Sequence, residues 1–210
     1  QQAQAELEMP WDMTKNRILA EYSVGTIKVK ASFLDDPCDE LDGGPMSMDK
    51  SKERLRALQG GKPEDTLELS QKDYMDHIQK LHGELKTAWQ TSEKVLSLKL
   101  AIQCAKLLSD VDVPHFYPSM FVLVSDILDT FGTLVFQRIE QRCKEVSGRP
   151  LPQGWTSRDV PIEAKETCRN WFYKVACIRE LLPRLYLELS LLRCFRFLSD
   201  AEYPQVISRL

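Results

Sequence analysis

The side chains best suited to chemistry are few and badly placed for it. Three histidines occur, His77, His82 and His115. On a helix, the five-residue step from His77 to His82 turns the two rings about 140° apart, so they cannot share one ion. The six cysteines, Cys38, Cys104, Cys143, Cys168, Cys177 and Cys194, include no C-x-x-C pair of the kind that builds zinc or redox centres. Cys168 and Cys177 are nine positions apart; on one straight helix that is about 13 Å along the axis, too far for a disulfide. Several cysteines fall on apolar helical positions, and both Cys168 and Cys177 are expected to be reduced thiols in or near the core. Asp126 and Asp129 stand three apart, in reach of acid/base cooperation, but nothing nearby would shift a pKa and a solvated helix face explains them more simply. The acidic run Asp35, Asp36, Asp39, Glu40 and Asp42 lacks the alternating oxygens, central Gly and terminal Glu of a calcium loop, and reads as a solvated loop. Paired E-x-x-H, P-loop, G-x-G-x-x-G and G-x-S-x-G patterns are absent. The expectation is a protein without catalytic, cofactor-binding or metal-binding residues, and so not an enzyme.

What remains is surface. In Pro183, Arg184, Leu185, Tyr186, Leu187 and Glu188 a proline opens a helix whose first turn displays Arg, Leu and Tyr. Arg offers a planar fork of donors, and Tyr and Leu offer apolar anchors, the composition of a binding hot spot. The plainer alternative buries Leu185 and Leu189 in the core and leaves Arg184 and Glu188 as an i,i+4 surface pair. Spacing leaves both open.

These residues must be positioned by helices. Residues 1–66 are rich in Asp, Gly and Pro, and residues 67–210 in Leu, Ile, Val and aromatics, which predicts an irregular leading segment followed by a helical domain. In the leading segment Ile27, Val29, Ala31 and Phe33 alternate with Lys28, Lys30 and Ser32, a period that suits a half-buried strand. Nothing else reads as a strand, so residues 26–34 either add to a partner's sheet or form a loop with a chance pattern. Residues 47–58 suit a short exposed helix. From Ser70, which offers a cap answered by Asp73, the period becomes helical: Tyr74, Ile78, Leu81, Leu85 and Ala88 form one stripe. Thr91 or Ser92 is expected to cap a second helix carrying two stripes, Val95, Leu98, Ile102, Ala105, Leu108 and Leu96, Leu100, Cys104, Leu107. After Pro114 and Pro118, a third helix runs from Phe121 to near Gly148, with Gly132 inside it for close packing. A Pro/Gly loop leads to a fourth helix marked by Cys168, Trp171, Val175, Ile178 and Leu182, ended or interrupted by Pro183, and a fifth runs from Arg184 to about Leu198. Helix pairs with short links and two-sided burial predict an all-α fold, a HEAT-like α-solenoid of stacked antiparallel pairs; a compact bundle is the competitor.

The chain has 210 residues, 43% hydrophobic, enough for a real core. Its 28 basic and 31 acidic residues give a net charge of −3 and are interspersed, so nucleic acid is not an expected partner. The longest uninterrupted apolar run, Met120 to Val124, falls short of a bilayer span, and no direct membrane insertion is expected. Opening at Gln1 without Met and closing at Leu210 without a polar tail, the sequence is expected to be an excerpt of a longer chain.

PRLYLE at 183–188 resembles the PRLYL motif through which the large retromer scaffold subunit binds its arrestin-fold partner. The flanks are similar to a related family, the large α-solenoid subunit of the Retriever complex, near the start of its solenoid. These are LKLAIQCAKLLSD (98–110), FYPSMFVLVSDILDTFGTLVFQRI (116–139) and AKETCRNWFYKVACIRELLPRLYLE (164–188), with PWDMTKNRILAEYS (10–23) similar to the region before the first solenoid helix. The resemblance covers most of the chain and is weakest at about 35–66 and 144–161. It implies a non-catalytic scaffold, without cofactors, in a cytoplasmic complex held peripherally on endosomes that returns membrane cargo. It implies direct binding of the arrestin-like subunit through Pro183, Arg184, Leu185, Tyr186 and Leu187. Glu188 departs from the retromer pattern, where an apolar residue follows. A phosphoesterase-fold subunit would bind regions outside this sequence, and a sorting nexin adaptor and the Commander components would join through the whole complex. The reading that competes from another class is an all-α lipid- or small-molecule-binding module or a helical enzyme domain.

Overall fold

In the computed structural model, residues 10–30, 66–201, 205, 207 and 208 are described. Among them the chain is helical apart from one two-stranded sheet, as expected of an α-solenoid preceded by a strand. The order is α1 (Trp11–Glu21), β1 (Thr26–Lys30), β2 (Thr66–Ser70), α2 (Gln71–Gln90), α3 (Lys94–Leu107), α4 (Tyr117–Ser147), α5 (Ile162–Ala176) and α6 (Leu181–Ser190), with 3-10 turns at Ser157–Asp159 and Leu192–Phe197. Two compact units result, one from Gln1–Gly83 with Val111–Val122 and the other from Glu84–Asp110 with Leu123–Leu210. The short helix expected at 47–58 and the acidic run at 35–42 lie outside the described residues.

In the first unit, β1 is paired within the chain. It runs antiparallel to β2 with Ile27 opposite Leu69, Lys28 opposite Glu68 and Val29 opposite Leu67. This corrects the expectation that no second strand exists. Five residues, TLELS, show only two apolar positions before the helical period of α2 takes over, too few to register as alternation. Ile27 and Val29 are buried, while Lys28 and Glu68 meet at 3.8 Å on the wet face, where an ion pair contributes little. Ala31 and Phe33 lie outside the described residues. Ser70 caps α2 as its sequence promises: its hydroxyl accepts the Asp73 N–H at 3.1 Å and donates to the Asp73 carboxylate at 2.7 Å. Buried Ser119 donates to the Tyr22 carbonyl at 3.0 Å, beyond the last turn of α1, and at 3.4 Å to the Ile18 carbonyl, which also accepts the Tyr22 N–H at 2.9 Å. Tyr74 packs edge-on against Phe116 at 5.3 Å.

In the second unit, the link between α2 and α3 is a Schellman turn. Ser92 takes φ +68°, the Glu93 N–H reaches back to the Ala88 carbonyl at 2.8 Å, and the Ser92 N–H bonds that of Trp89 at 3.2 Å. Ser92 therefore terminates α2 instead of capping α3, whose cap residue is Glu93, and the Thr91 hydroxyl turns back to the Thr87 and Ala88 carbonyls. The reason is geometric: a link this short must reverse direction through one left-handed residue. α3 buries Leu98, Leu100, Ala101, Cys104 and Ala105 but leaves Val95 exposed, and its buried Ser97 donates to the Leu85 carbonyl at 3.3 Å. Trp89, Phe131 and Trp171 converge from α2, α4 and α5, with Trp89 stacked on Trp171 at 5.6 Å and Phe131 edge-on to both. α4 begins at Tyr117, so Pro118 falls in its first turn, where the missing N–H has no intrahelical partner to lose.

The break between the last helices comes earlier than the proline. α5 ends at Ala176, the chain turns through residues 177–180, and α6 starts at Leu181, so Pro183 also lies in a first turn. α6 stops at Ser190 and a 3-10 turn takes the chain to Phe197, where a continuous helix to Leu198 was expected. α6 packs on α3 and α5. Gly132 explains how α4 approaches it: a Cβ there would overlap the Ser190 carbonyl oxygen.

Gly83 and Gly132 both sit inside helices, where alanine is intrinsically favoured by about 1 kcal/mol. A Cβ at Gly83 meets nothing within 4 Å, whereas one at Gly132 meets backbone. Gly83→Ala should stabilise by up to about 1 kcal/mol, and Gly132→Ala should destabilise by ~1–3 kcal/mol. Urea unfolding followed by circular dichroism separates the two signs.

Candidate docking helix

α6 begins without a side-chain cap; Glu180 holds the cap position in extended conformation and sends its carboxylate to Lys106 of α3 instead, at 3.0 Å. That hydrogen bond is the main reason the Glu180 carboxyl is held below the usual carboxylate range. Arg184 donates its backbone N–H to the Glu180 carbonyl at 3.2 Å, closing the first turn around Pro183.

The helix divides the six motif residues by burial. Pro183 and Leu187 are buried, continuing to Leu191 at the same four-residue step, and these three form the inward face. Leu181, Leu182, Leu185 and Leu189 are 69, 40, 39 and 39% exposed. The outcome for Leu185 and Leu189 is therefore the reverse of the core placement that spacing also allowed, and Leu182 does not extend the buried stripe of α5. A count through one continuous helix misphases everything after residue 176, because the turn at 177–180 resets the rotation. Ile178, in that turn, is still buried.

Arg184 and Glu188 do form the i,i+4 pair, with Nε 3.6 Å from Oε1. That separation exceeds hydrogen-bond length, and the buried Nε has no hydrogen-bond partner. The Glu188 side chain is only 15% exposed, so the pair is held against the helix and does not wave in solvent. Leu181 and Leu189 fall outside the motif and were not singled out from sequence; the step of four through 181, 185 and 189 is the signal that could have found them.

The thiols are mostly core, as expected, with one correction. Cys104, Cys143, Cys168 and Cys194 are buried, but Cys177 is exposed, because it occupies the C-cap of α5 where the chain leaves the packed face. The Cys168 thiol donates to the Cys194 carbonyl at 3.3 Å. Burial pushes the Cys104 and Cys194 thiols up to about 12 and raises Cys168 and Cys143 as well. Asp126 and Asp129 lie on α4, and, against the expectation that nothing there would shift a pKa, the Asp129 carboxyl is raised by burial first and by Asp126 second. Among the described residues no three His, Cys, Asp or Glu side chains are grouped to hold a metal.

Residues 10–210 match the family model described as VPS35L, in its amino-terminal region. The chain belongs to the VPS35L family. It is 43% identical over 206 residues to the VPS35 endosomal protein-sorting factor-like protein of Danio rerio, covering 96% of this chain and 21% of that protein. The human protein of the same description is 42% identical over 206 residues, with 96% and 21% covered. That of Dictyostelium discoideum is 42% identical over 218 residues, with 96% and 20% covered. The chain thus spans about a fifth of the length of these relatives. The resemblance read from PRLYLE and its flanks is confirmed at the level of family, and the family is one of endosomal protein-sorting factors.

Alkylation should follow burial. With the native protein and iodoacetamide near neutral pH, Cys177 is expected to label within minutes, and Cys104, Cys143, Cys168 and Cys194 only after denaturant is added, as read by peptide mass mapping. Raising the pH to about 9 should still leave the buried four unlabelled, since burial raises their thiols above the ordinary range.

Proposed function

We propose that this chain is the solenoid-entry part of a non-catalytic scaffold in a Retriever-type endosomal cargo-retrieval complex, and that it binds the arrestin-fold subunit through α6. Family membership and the relatives' description as endosomal sorting factors support the sorting role. The observation that carries the binding role is the first turn of α6, where Arg184, Leu185 and Tyr186 stand at a partly open surface beside further exposed leucines. Arginine with large apolar neighbours is what interface hot spots use.

In this reading residues 67–210 are solenoid and residues 1–66 lead into it, stitched to it by the β1–β2 pair. Addition of residues 26–34 to a partner's sheet remains a secondary proposal, no longer motivated by a lone strand, since β2 takes one edge of β1. The phosphoesterase-fold subunit, the sorting nexin adaptor and the Commander components join through other parts of the complete assembly, which sits on the cytoplasmic face of endosomes without inserting this chain. By length and composition α4 could cross a membrane, but it buries Val124, Ile127, Leu128, Phe131, Val135, Ile139 and Cys143 as the core helix of a folded unit does.

Calorimetric titration of this chain with the arrestin-fold subunit should give micromolar or tighter binding. Arg184→Ala, at unchanged helix content, should weaken it at least tenfold, about 1.4 kcal/mol. A well-folded wild type that does not bind would overturn the reading.

A further inference from the structure

The 3-10 turn Leu192–Phe197 places Arg193 and Arg196 one full turn apart, so the two side chains leave it on the same side with their Cα atoms about 6 Å from each other. Both are exposed. Each guanidinium lies over an aromatic ring, Arg193 at 4.5 Å from the Phe136 centroid and Arg196 at 4.3 Å from that of Trp155. Phe197, fully buried, packs against both rings with centroids 4.8 Å away in each case. The two arginines are therefore seated on one row of three rings that is anchored in the core. Arg196 is oriented further by donating from Nη2 to the Trp155 carbonyl at 2.9 Å. Arginines elsewhere on this unit spend their charge on a neighbour: Arg138 and Arg142 both meet Glu145, at 3.1 and 3.3 Å. Among the described residues neither Arg193 nor Arg196 has a carboxylate within ion-pair distance. The acids of the adjoining loop are committed to it: Asp159 accepts from the Thr156 N–H and hydroxyl at 2.8 and 3.0 Å, and Asp200 from those of Ser157 at 2.7 and 2.9 Å. A ring takes one face of a guanidinium and leaves its N–H edge for an acceptor. Two edges already held in place lose little freedom when an anion binds.

We propose that Arg193 and Arg196 form a docking site for an extended acidic segment of a partner protein, one that presents carboxylates at alternate positions. Along an extended chain, residues on the same side repeat at about 6.8 Å, close to the spacing of the two arginines, so one carboxylate can reach each fork. A carboxylate is planar and accepts two parallel N–H bonds from a guanidinium, which a lysine cannot offer. The site uses none of the residues of the α6 motif and does not depend on the arrestin-fold reading; it gives the scaffold a second point of attachment, for a partner of a different chemistry. If the two arginines did no more than roof the rings beneath them, their loss would change stability and leave the binding of acidic peptides untouched.

Fluorescence anisotropy with a labelled peptide of alternating Glu and Thr, titrated with the whole chain at low ionic strength, tests the site. Wild type should bind this peptide at least tenfold tighter than its counterpart with Lys in place of Glu, and added salt should weaken the binding. Arg193→Gln and Arg196→Gln should each weaken it at least threefold, and together at least tenfold, with circular dichroism and unfolding midpoints recorded for every variant. Arg138→Gln combined with Arg142→Gln removes the same charge from guanidiniums already spent on Glu145 and should stay within twofold of wild type. If the double Gln variant does not fold, Arg193→Lys with Arg196→Lys replaces it and should weaken binding at least threefold. A wild type that does not bind the acidic peptide would overturn the proposal, as would undiminished binding in a folded double variant or an equal loss in the Arg138 and Arg142 control. Flotation with phosphatidylserine and phosphatidylcholine vesicles supplies the remaining arm: a chain that ignores the peptide but floats with the vesicles through these two arginines would assign them to an anionic membrane and likewise overturn it. None of these outcomes bears on binding through α6.

Discussion

The second unit depends on one close approach, Gly132 of α4 beneath the Ser190 carbonyl of α6. Helices packing through ordinary side chains stay about 8–10 Å apart. Removing the side chain at Gly132 lets backbone meet backbone, and with α6 pinned at its last turn its rotation is settled. Leu187 and Leu191 then face inward, and Leu181, Leu185 and Leu189 must face out. Pro183 reinforces the same phase from the other end by requiring a helix start just before it. The outward leucine face is therefore a consequence of packing elsewhere in the helix.

Around that contact the core is stiffened by aromatic groups with defined geometry. The Trp89, Phe131 and Trp171 cluster carries Lys94 over one indole at 5.3 Å and Lys174 over another at 5.0 Å, so lysines close the cluster without being buried themselves. A second cluster anchors the loop that follows α4. Trp155 stacks on Phe197 at 4.8 Å beneath the Arg196 guanidinium, and Arg196 also donates to the Trp155 carbonyl at 2.9 Å. The Ser157 N–H donates to Asp200 at 2.7 Å, the hydrogen bond chiefly responsible for holding that carboxyl below its usual range. A loop rich in Pro and Gly is thereby given a fixed course that ends where α5 begins.

The two candidate binding segments differ in what they leave open to a partner. In β1 the ladder with β2 answers the question that the alternation of Ile27 and Val29 raised, because the partner strand comes from the same chain. In α6 the backbone is satisfied by the helix, and what stays open is side chain: the four exposed leucines Leu181, Leu182, Leu185 and Leu189. Side-chain surface is what a scaffold offers a partner with little reorganisation of its own.

Much of the fold was legible in residue order, because helical periodicity and caps are local properties. Ser70 with Asp73, the stripe from Tyr74 to Ala88, the run from Val124 to Ile139 and the small residue at Gly132 all act within a few turns of chain. The family, too, was carried by contiguous motifs. Three features were not local. β2 became a strand only because β1, some forty residues earlier, lay beside it. Ser92 became a helix stop because α3 had to fold back on α2. The phase of α6 was ambiguous, since leucines at 181, 185 and 189 and apolar residues at 183, 187 and 191 fit the same period equally well. Tertiary packing at Gly132 and Ser190 chose between them, and with that choice decided which residues of the motif are core and which are available to another protein.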